Sequence, residues 1–182
     1  QDFVDLVGEA EKFLDDDHEL ETVDEVLAGA RDILAEWMNE HQVARKKIRY
    51  LYKKTAIVKS TVAKGKEEEA IKYKNYFEWE ENLLQAPSHR VLAMFRGENE
   101  KLLKLKIIPD EDEAINRLNN IFIQNKSESA KQVELAVQDC FKRLLKPSME
   151  TEIRNEVKAQ ADVGAIKVFA ENLRQLLLAP PM

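Results

Sequence analysis

The sequence predicts a mainly α-helical, multi-helix domain with one small antiparallel pair of β-strands. Its 182 residues are rich in Glu, Lys, Leu and Ala, which favour helices, and include only five Gly and five Pro. Over most of the chain, apolar residues recur with the 3.6-residue period of an amphipathic helix. Two short segments instead contain many β-branched residues or alternate polar with apolar ones, as strands do.

Three helices are predicted in the first third of the chain. The first covers about 2–14. The second begins at Thr22, whose side chain can cap it, and Glu25 three residues later completes a capping box. Its inward face is expected to contain Val23, Val26, Leu27, Ala30, Ile33, Leu34, Trp37 and Met38. The third, over about 42–54, is expected to bury Ala44, Ile48, Leu51 and Tyr52.

The middle third contains the strand signals. Residues 55–63 and 102–108 are predicted to be strands that pair with each other. Between them the sequence predicts a polar helical stretch at 66–77 and a shorter helix. That shorter helix is opened by Pro and Ser at 87–88, with the Ser as its cap, and Gly97 is expected to end it.

The last third predicts three helices, over about 110–124, 127–145 and 148–178. Gly164 is expected to bend or break the third of these, and two prolines at 180–181 stop it. The apolar face of that helix is expected to contain Met149, Ile153, Val157, Ile166, Phe169, Leu173 and Leu176.

These elements suggest three parts. We expect an N-terminal helical part at 1–54, a small α+β module with the strand pair at 55–108, and C-terminal helices at 109–182 that pack back on the first part. Since the chain does not begin with Met, we expect it to be a fragment of a longer protein.

The charge is unevenly distributed along the chain, whose formal net charge is −6. Residues 1–40 contain fourteen acids and two bases, whereas residues 41–66 contain nine bases and no acid. Such asymmetry suits a surface that meets polyanions. The alternative is that the acidic and basic blocks pack side by side and neutralise each other.

Several classes of protein are excluded by composition and motifs. A single cysteine, Cys140, allows no disulfide framework and indicates a reducing compartment; it lies on an apolar helical stripe, which indicates a core position. No apolar stretch approaches the ~18 residues of a membrane span. The three histidines fit no metal-ligand spacing, and no phosphate-binding glycine loop or nucleophile elbow occurs. We therefore expect a cytoplasmic, non-enzymatic protein without metal, cofactor, small-molecule substrate or membrane contact.

The basic segment supplies the candidate functional site. Its cations are interleaved with aromatic residues, a combination that binds single-stranded nucleic acid through phosphate neutralisation and base stacking. The alternative is that the aromatic rings pack into a core while the lysines are solvated or paired with Glu67–Glu69. The candidate nucleic-acid-binding residues are Lys46, Arg49, Tyr50, Lys53, Lys59, Lys64, Lys66, Lys72, Lys74 and Arg90.

Three blocks of sequence carry a resemblance to a known family. The first is Gly-Ala-Arg-Asp-Ile-Leu-Ala-Glu at 29–36. The second runs from Lys-Gly-Lys-Glu-Glu-Glu at 64–69 through Pro-Ser-His-Arg at 87–90 to Arg-Gly-Glu at 96–98. The third is Val-Phe-Ala-Glu-Asn-Leu-Arg, continuing to Leu-Ala-Pro, within 168–180. In this order the blocks resemble the bacterial transcription accessory protein family Tex.

The resemblance implies a place within a larger protein. It implies that the chain belongs to the N-terminal helical region of that protein, before a ribonuclease-H-like domain, and that the principal RNA-binding domain lies elsewhere. We therefore expect a helical scaffold that supports nucleic-acid binding by the parent, and the basic segment is a candidate contact. The alternative is a docking module that orients neighbouring domains or binds the transcription machinery without touching nucleic acid. The apolar run at 176–178 is a candidate exposed patch for such docking.

Overall fold

The computed structural model describes residues 5–14, 20–125 and 127–178 and confirms a mainly α fold with a small antiparallel sheet. The elements in chain order are α1 (Leu6–Glu11), α2 (Val23–Glu40), α3 (Gln42–Thr55), β1 (Ile57–Val62), a 3-10 helix (Ile71–Tyr76), β2 (Glu78–Asn82), α4 (Ser88–Asn99), β3 (Leu103–Ile108), α5 (Glu111–Phe122), α6 (Glu128–Asp139), a π-helical segment (Cys140–Leu145) and α7 (Lys146–Leu178).

Helix starts follow the capping chemistry of the sequence at α2 but not at α4. The Glu25 N–H donates to Thr22 Oγ1 at 3.3 Å, and the Thr22 N–H donates to Glu25 Oε2 at 2.8 Å, which confirms the predicted capping box. At α4 the N-cap position belongs to Pro87, and no side chain caps the helix. The prediction that Ser88 is the cap was wrong, because the extended backbone of Pro87 already places Ser88 inside the first turn.

The sheet has three strands in the order β2-β1-β3, all antiparallel. The predicted pair is confirmed as β1 and β3, in register from Ile57 opposite Ile108 to Val62 opposite Leu103. The third strand, β2, was not predicted. Its sequence, Glu-Trp-Glu-Glu-Asn, is dominated by residues that disfavour strands, and it forms because β1 offers it a partner.

Helix α4 continues past Gly97, so the predicted stop at that glycine was wrong. The helix ends in a Schellman motif in which the Lys101 N–H donates to the Glu98 carbonyl and the Leu102 N–H to the Gly97 carbonyl, each at 2.9 Å. Gly97 is instead needed for close packing, since a Cβ at this position would lie 2.6 Å from Leu103 Cδ1. The left-handed position of the motif is held by Lys101, with φ of 59°.

Helical backbone runs without a break from Glu128 to Leu178, so the predicted break between the helices at 127–145 and 148–178 was wrong. Proline lacks the N–H that would bond to the fourth carbonyl before it. The π-helical segment immediately before Pro147 accommodates this, and the Lys146 N–H donates to the Phe141 carbonyl five residues earlier. Gly164 does not break α7, because that helix continues to Leu178.

The predicted apolar faces of α2 and α7 are only partly buried. In α2, Ile33 and Trp37 are 55% and 67% exposed, although the prediction placed both inside. In α7, Met149 and Ile153 are buried, whereas the apolar residues after Ala161 face solvent in the described part of the chain. Periodicity identified an apolar stripe in both helices, but it could not indicate how much of each stripe has a partner.

The chain forms two compact units. The first is drawn from Gln1–Tyr50 and Asp110–Met149, and its core includes Ala35, Met38, Ala44, Ile48, Leu118, Val137, Cys140, Phe141 and Leu145. The second is drawn from Leu51–Pro109 and Glu150–Met182, and its core includes Tyr52, Val58, Tyr73, Met94, Leu103, Leu105, Ile107 and Ile153. The second unit contains the whole sheet.

Candidate nucleic-acid interface

Helix α3 carries four of the predicted contacts, in two different environments. Lys46 and Tyr50 are exposed, with Tyr50 at 59%. Arg49 is half-buried and has a partner within the protein. Lys53 forms an ion pair with Glu156 of α7, with 2.7 Å between Nζ and Oε1. Only part of this helix face is therefore presented to solvent with its charge uncompensated.

Half of the ten predicted contacts are cations engaged in ion pairs inside the second unit. The pairs are Lys53–Glu156 at 2.7 Å, Lys59–Glu80, Lys66–Glu69 at 2.7 Å, Lys72–Glu100 at 2.7 Å and Arg90–Glu81 at 2.9 Å. The hydrogen bond from Lys72 to Glu100 raises the pKa of Lys72 and lowers that of the carboxyl. Each pair joins two elements or closes a turn, so these cations are partly neutralised by their own fold.

The aromatic residues near the basic segment are mostly in the interior. Tyr73 is buried against Ala70, Leu102 and Leu103, and burial raises the pKa of its phenol. Tyr76 and Phe77 pack on the same cluster. Trp79 is half-buried beneath the Arg90 guanidinium, 5.0 Å from the ring centroid. Within residues 73–79 no ring is exposed for base stacking, which leaves Tyr50 as the exposed aromatic candidate among the predicted contacts.

Two further predicted contacts, Lys64 and Lys74, are exposed. Neither forms an ion pair with any residue in the described part of the chain. Lys64 precedes Gly65, whose φ of 76° makes the turn after β1. This turn brings Lys64 beside the start of β3, where the Ala63 N–H donates to the Leu102 carbonyl at 2.9 Å.

Three lysines that sequence reasoning missed lie next to this point. Lys104 and Lys106 are exposed on β3, where they alternate with buried Leu103, Leu105 and Ile107. Lys106 is directly opposite Lys59 of β1, and Lys101 flanks the bond between Ala63 and Leu102. We call Lys59, Lys64, Lys101, Lys104 and Lys106 the lysine ribbon. The alternation of Lys and apolar residues at 102–108 was the signal that could have revealed it.

The far edge of β3 is closed by side chains that fix the ribbon in place. The Leu105 N–H donates to Glu98 of α4 and the Ile107 N–H to Glu150 of α7, each at 3.3 Å. Arg154 of α7 donates to the Leu105 carbonyl at 3.0 Å and forms an ion pair with Glu98. These bonds satisfy backbone groups that a strand edge would otherwise expose, so β3 cannot readily pair with another strand.

No metal-binding cluster is formed in the described part of the chain. There, no group of three or more His, Cys, Asp or Glu side chains is placed to hold a metal ion. The acidic run at 15–19, which the sequence suggests is a linker and not a metal site, lies outside the described residues. Asp110 caps α5 by accepting from the Glu113 N–H at 3.0 Å, as a helix-capping acid does. Across residues 5–14, 20–125 and 127–178, no helix combines the length and apolarity of a membrane span.

Cys140 is buried, and we expect it to be inert. Burial, helped by the carboxylates of Asp139 and Glu36, raises the pKa of its thiol from 9.0 to about 12. An unfolded chain loses this proton near pH 9 and the folded chain keeps it to about pH 12. The contribution of Cys140 to stability is therefore complete below pH 9 and is lost as the pH rises towards 12.

Two measurements check the state of this thiol. A disulfide reagent at pH 8 should leave the native protein unmodified and react with one equivalent in denaturant. Between pH 8 and 10, the free energy of unfolding should fall more steeply for the native sequence than for Cys140→Ala. Prompt reaction of the folded protein would contradict a buried thiol.

Comparison with known proteins finds one family. The family model described as Tex central region-like matches residues 4–169. The chain is 38% identical over 179 residues to the uncharacterized protein YdcI of Bacillus subtilis, covering 97% of this chain and 25% of that protein. It is 35% identical over 166 residues to the transcriptional accessory protein Tex of Neisseria gonorrhoeae, covering 85% and 21%.

A more distant relative carries a name that refers to RNA. The chain is 28% identical over 177 residues to S1 RNA-binding domain-containing protein 1 of Homo sapiens, covering 90% of this chain and 18% of that protein. The chain thus spans about a fifth to a quarter of the length of these curated relatives.

Proposed function

Because the chain belongs to the Tex family, we propose that it is a helical scaffold region, without enzymatic activity, that supports nucleic-acid binding by a larger transcription accessory protein. The names of two relatives support the two parts of this role, since one is called a transcriptional accessory protein and another an S1 RNA-binding domain-containing protein. We place the role in the cytoplasm, where a single unpaired cysteine remains reduced.

The observation that carries the scaffold role is the internal pairing of the basic segment. Five of the ten predicted contacts, three of them in the basic segment, form ion pairs within the second unit, and several of these pairs join residues far apart in sequence, such as Lys53 with Glu156. A cation that contacted phosphate as its main task would gain most by remaining unpaired. Here the same charges join α3 to α7 and β1 to β2.

A charge swap tests whether such a cation acts on the fold or on a ligand. Lys53→Glu places two carboxylates together and should lower the melting temperature by about 2 °C, because exposed pairs contribute less than about 1 kcal/mol. Adding Glu156→Lys restores the pair in reverse and should restore the melting temperature. If Lys53 is structural, the double variant should also bind labelled single-stranded RNA and duplex DNA as the native chain does.

The opposite outcome would contradict a purely structural role for Lys53. If the double variant regains stability but loses affinity, Lys53 contacts phosphate and the scaffold role fails at this residue. A reversal of Lys46, Arg49 and Lys53 together to Glu extends the test to the rest of the α3 face. Unchanged affinity in that triple variant would remove α3 from the interface.

A second candidate function, docking of a protein partner, is favoured by the C-terminal half of α7. Ile166, Phe169, Leu173 and Leu176 follow the alternating spacing of three and four residues that forms a coiled-coil seam, and they are 67%, 68%, 44% and 75% exposed. Such a seam suits a helix of a partner. Partner capture from nuclease-treated extract should then be lost in Phe169→Glu with Leu173→Glu and kept in Lys167→Glu with Glu171→Lys, which alters the opposite face.

A further inference from the structure

We propose that the lysine ribbon binds the phosphate backbone of duplex nucleic acid. This inference deepens the proposed function, because it names a contact surface and a ligand class within the scaffold. It concerns Lys101, Lys104 and Lys106, which the basic segment of the sequence does not include. None of these three forms an ion pair with another described residue.

The ribbon has the dimensions of a backbone contact. Lys104 and Lys106 project from the same face of β3, because the residues between and beside them are buried. Lys104 and Lys106, two residues apart on β3, are spaced by about 7 Å along the strand, at ~3.3 Å per residue. One strand of a duplex presents about two phosphates over that length of helix axis, at ~3.4 Å each. The spacing of the two lysines therefore suits successive phosphates of one backbone, and Lys101 lies just before the start of β3.

The pairing of Lys59 with Lys106 indicates that the ribbon is not optimised for stability alone. The two lysines are directly opposite each other across β1 and β3, an arrangement of like charges that destabilises a sheet. Glu80 on the other side of Lys59 compensates only one of them. A phosphate placed over the strands would relieve the repulsion that remains. Lys106 therefore favours phosphate binding while it lowers the stability of the sheet.

Lys101 provides a second, independent observation. It occupies the left-handed position of the Schellman motif at the end of α4, with φ of 59°. Glycine, or less often asparagine, is the favoured residue there, because a side chain in this conformation is strained. A lysine therefore occupies, at the end of the ribbon, a position whose backbone conformation favours glycine or asparagine.

Acidic residues set the limit of the surface. On the outer face of the sheet, Glu78 and Glu80 of β2 lie beside Thr61 and Lys59 of β1, away from β3. The five lysines of the ribbon outnumber these two carboxylates, which leaves a formal excess of three positive charges. A bound backbone is therefore expected to lie over β3 and the turn after β1 and to avoid β2.

The chemistry of this face favours recognition of the backbone over recognition of bases. The side chains that alternate onto it from the three strands are Ile57, Lys59, Thr61, Glu78, Glu80, Asn82, Lys104, Lys106 and Ile108. None of these described residues is aromatic, so the face has no platform for the base stacking on which single-strand binders depend. A duplex, with its higher charge density, is the ligand that such a surface holds best.

The test uses fluorescence anisotropy of a labelled duplex DNA with the 182-residue chain over a range of salt concentrations. Lys104→Glu with Lys106→Glu should weaken binding at least about tenfold at low salt and reduce the slope of log affinity against log salt by roughly 1.8, since each contact contributes ~0.9. Lys158→Glu with Lys167→Glu makes the same change in net charge on α7 and should keep the native slope. The neutral variant Lys104→Gln with Lys106→Gln should show an intermediate loss.

A stability readout separates lost binding from lost folding. The Lys106→Glu change places opposite charges across β1 and β3, so the melting temperature of the double variant should rise by about 1–2 °C while its affinity falls. The proposal is overturned if the chain does not bind duplex at low salt, if the α7 control loses as much affinity, or if single-stranded RNA of equal length binds more tightly. None of these results affects the outcome of the Lys53→Glu with Glu156→Lys experiment, which tests the scaffold role separately.

Discussion

Replacing Phe141 by alanine is expected to lower the free energy of unfolding of the first unit by about 3–5 kcal/mol. Phe141 is fully buried in the π-helical segment, which packs against α2. Its carbonyl accepts the π-type bond from Lys146 that carries the helix past Pro147. The loss of the ring leaves a cavity at this irregular turn, and the fixed backbone on either side limits how far the core can collapse into it.

Chemical denaturation followed by circular dichroism measures this effect. Phe169→Ala is the matched control, because it removes the same atoms from a side chain that is 68% exposed, and it should change stability by less than about 1 kcal/mol. If the two variants were equally stable, the ring of Phe141 would not be part of the core.

Replacing Leu103 by alanine is expected to cost the second unit about 2–5 kcal/mol. Leu103 is 2% exposed on the inner face of the sheet and packs with Ala70, Tyr73 and Leu102. It also fills the space beside Gly97 of α4. Truncation would therefore loosen the contact between α4 and β3 as well as remove buried apolar surface.

The close approach at Gly97 makes a sharper test possible. Gly97→Ala alone should cost about 1–3 kcal/mol, because the new Cβ would lie 2.6 Å from Leu103 Cδ1, and this exceeds the gain of up to about 1 kcal/mol in helix propensity. In the double variant Gly97→Ala with Leu103→Ala, the clashing Leu103 atoms are absent. Its loss of unfolding free energy should therefore be smaller than the sum of the two single losses by at least about 1 kcal/mol. Additive costs would show that Leu103 does not restrict Gly97.

The sequence predicted local features such as helix caps and buried faces, but it did not predict features that depend on which elements pack together. The capping box at Thr22, the buried face of α3 and the β1–β3 pair follow from spacing and residue type alone. Strand β2 was missed because its residues disfavour strands and only the neighbouring β1 makes it one. Gly97 was read as a helix stop because glycine serves both at helix ends and at close contacts, and only the position of Leu103 decides between them.

The sequence likewise predicted part of the candidate site, but not which of its cations are paired within the fold. A run of bases at 41–66 is visible in the sequence, but whether each base is free depends on acids far along the chain, as Lys53 and Glu156 show. The aromatic residues at 73–79 looked suitable for stacking, yet the packing of Tyr73 with Leu103 withdraws that ring from solvent. Conversely, Lys104 and Lys106 stand outside the basic run and join Lys59 through strand pairing alone.

The central claim is that the basic side chains form two sets, one paired within the fold and one facing phosphate, with Lys59 alone in both because it pairs with Glu80 at the border of the ribbon. Lysine acetylation footprinting by mass spectrometry, with and without duplex DNA, tests it most directly. We expect the duplex to protect Lys101, Lys104 and Lys106, while the acetylation of Lys53 and Lys72 stays the same with or without it. Protection of Lys53 and Lys72 with no change at Lys104 and Lys106 would contradict the division.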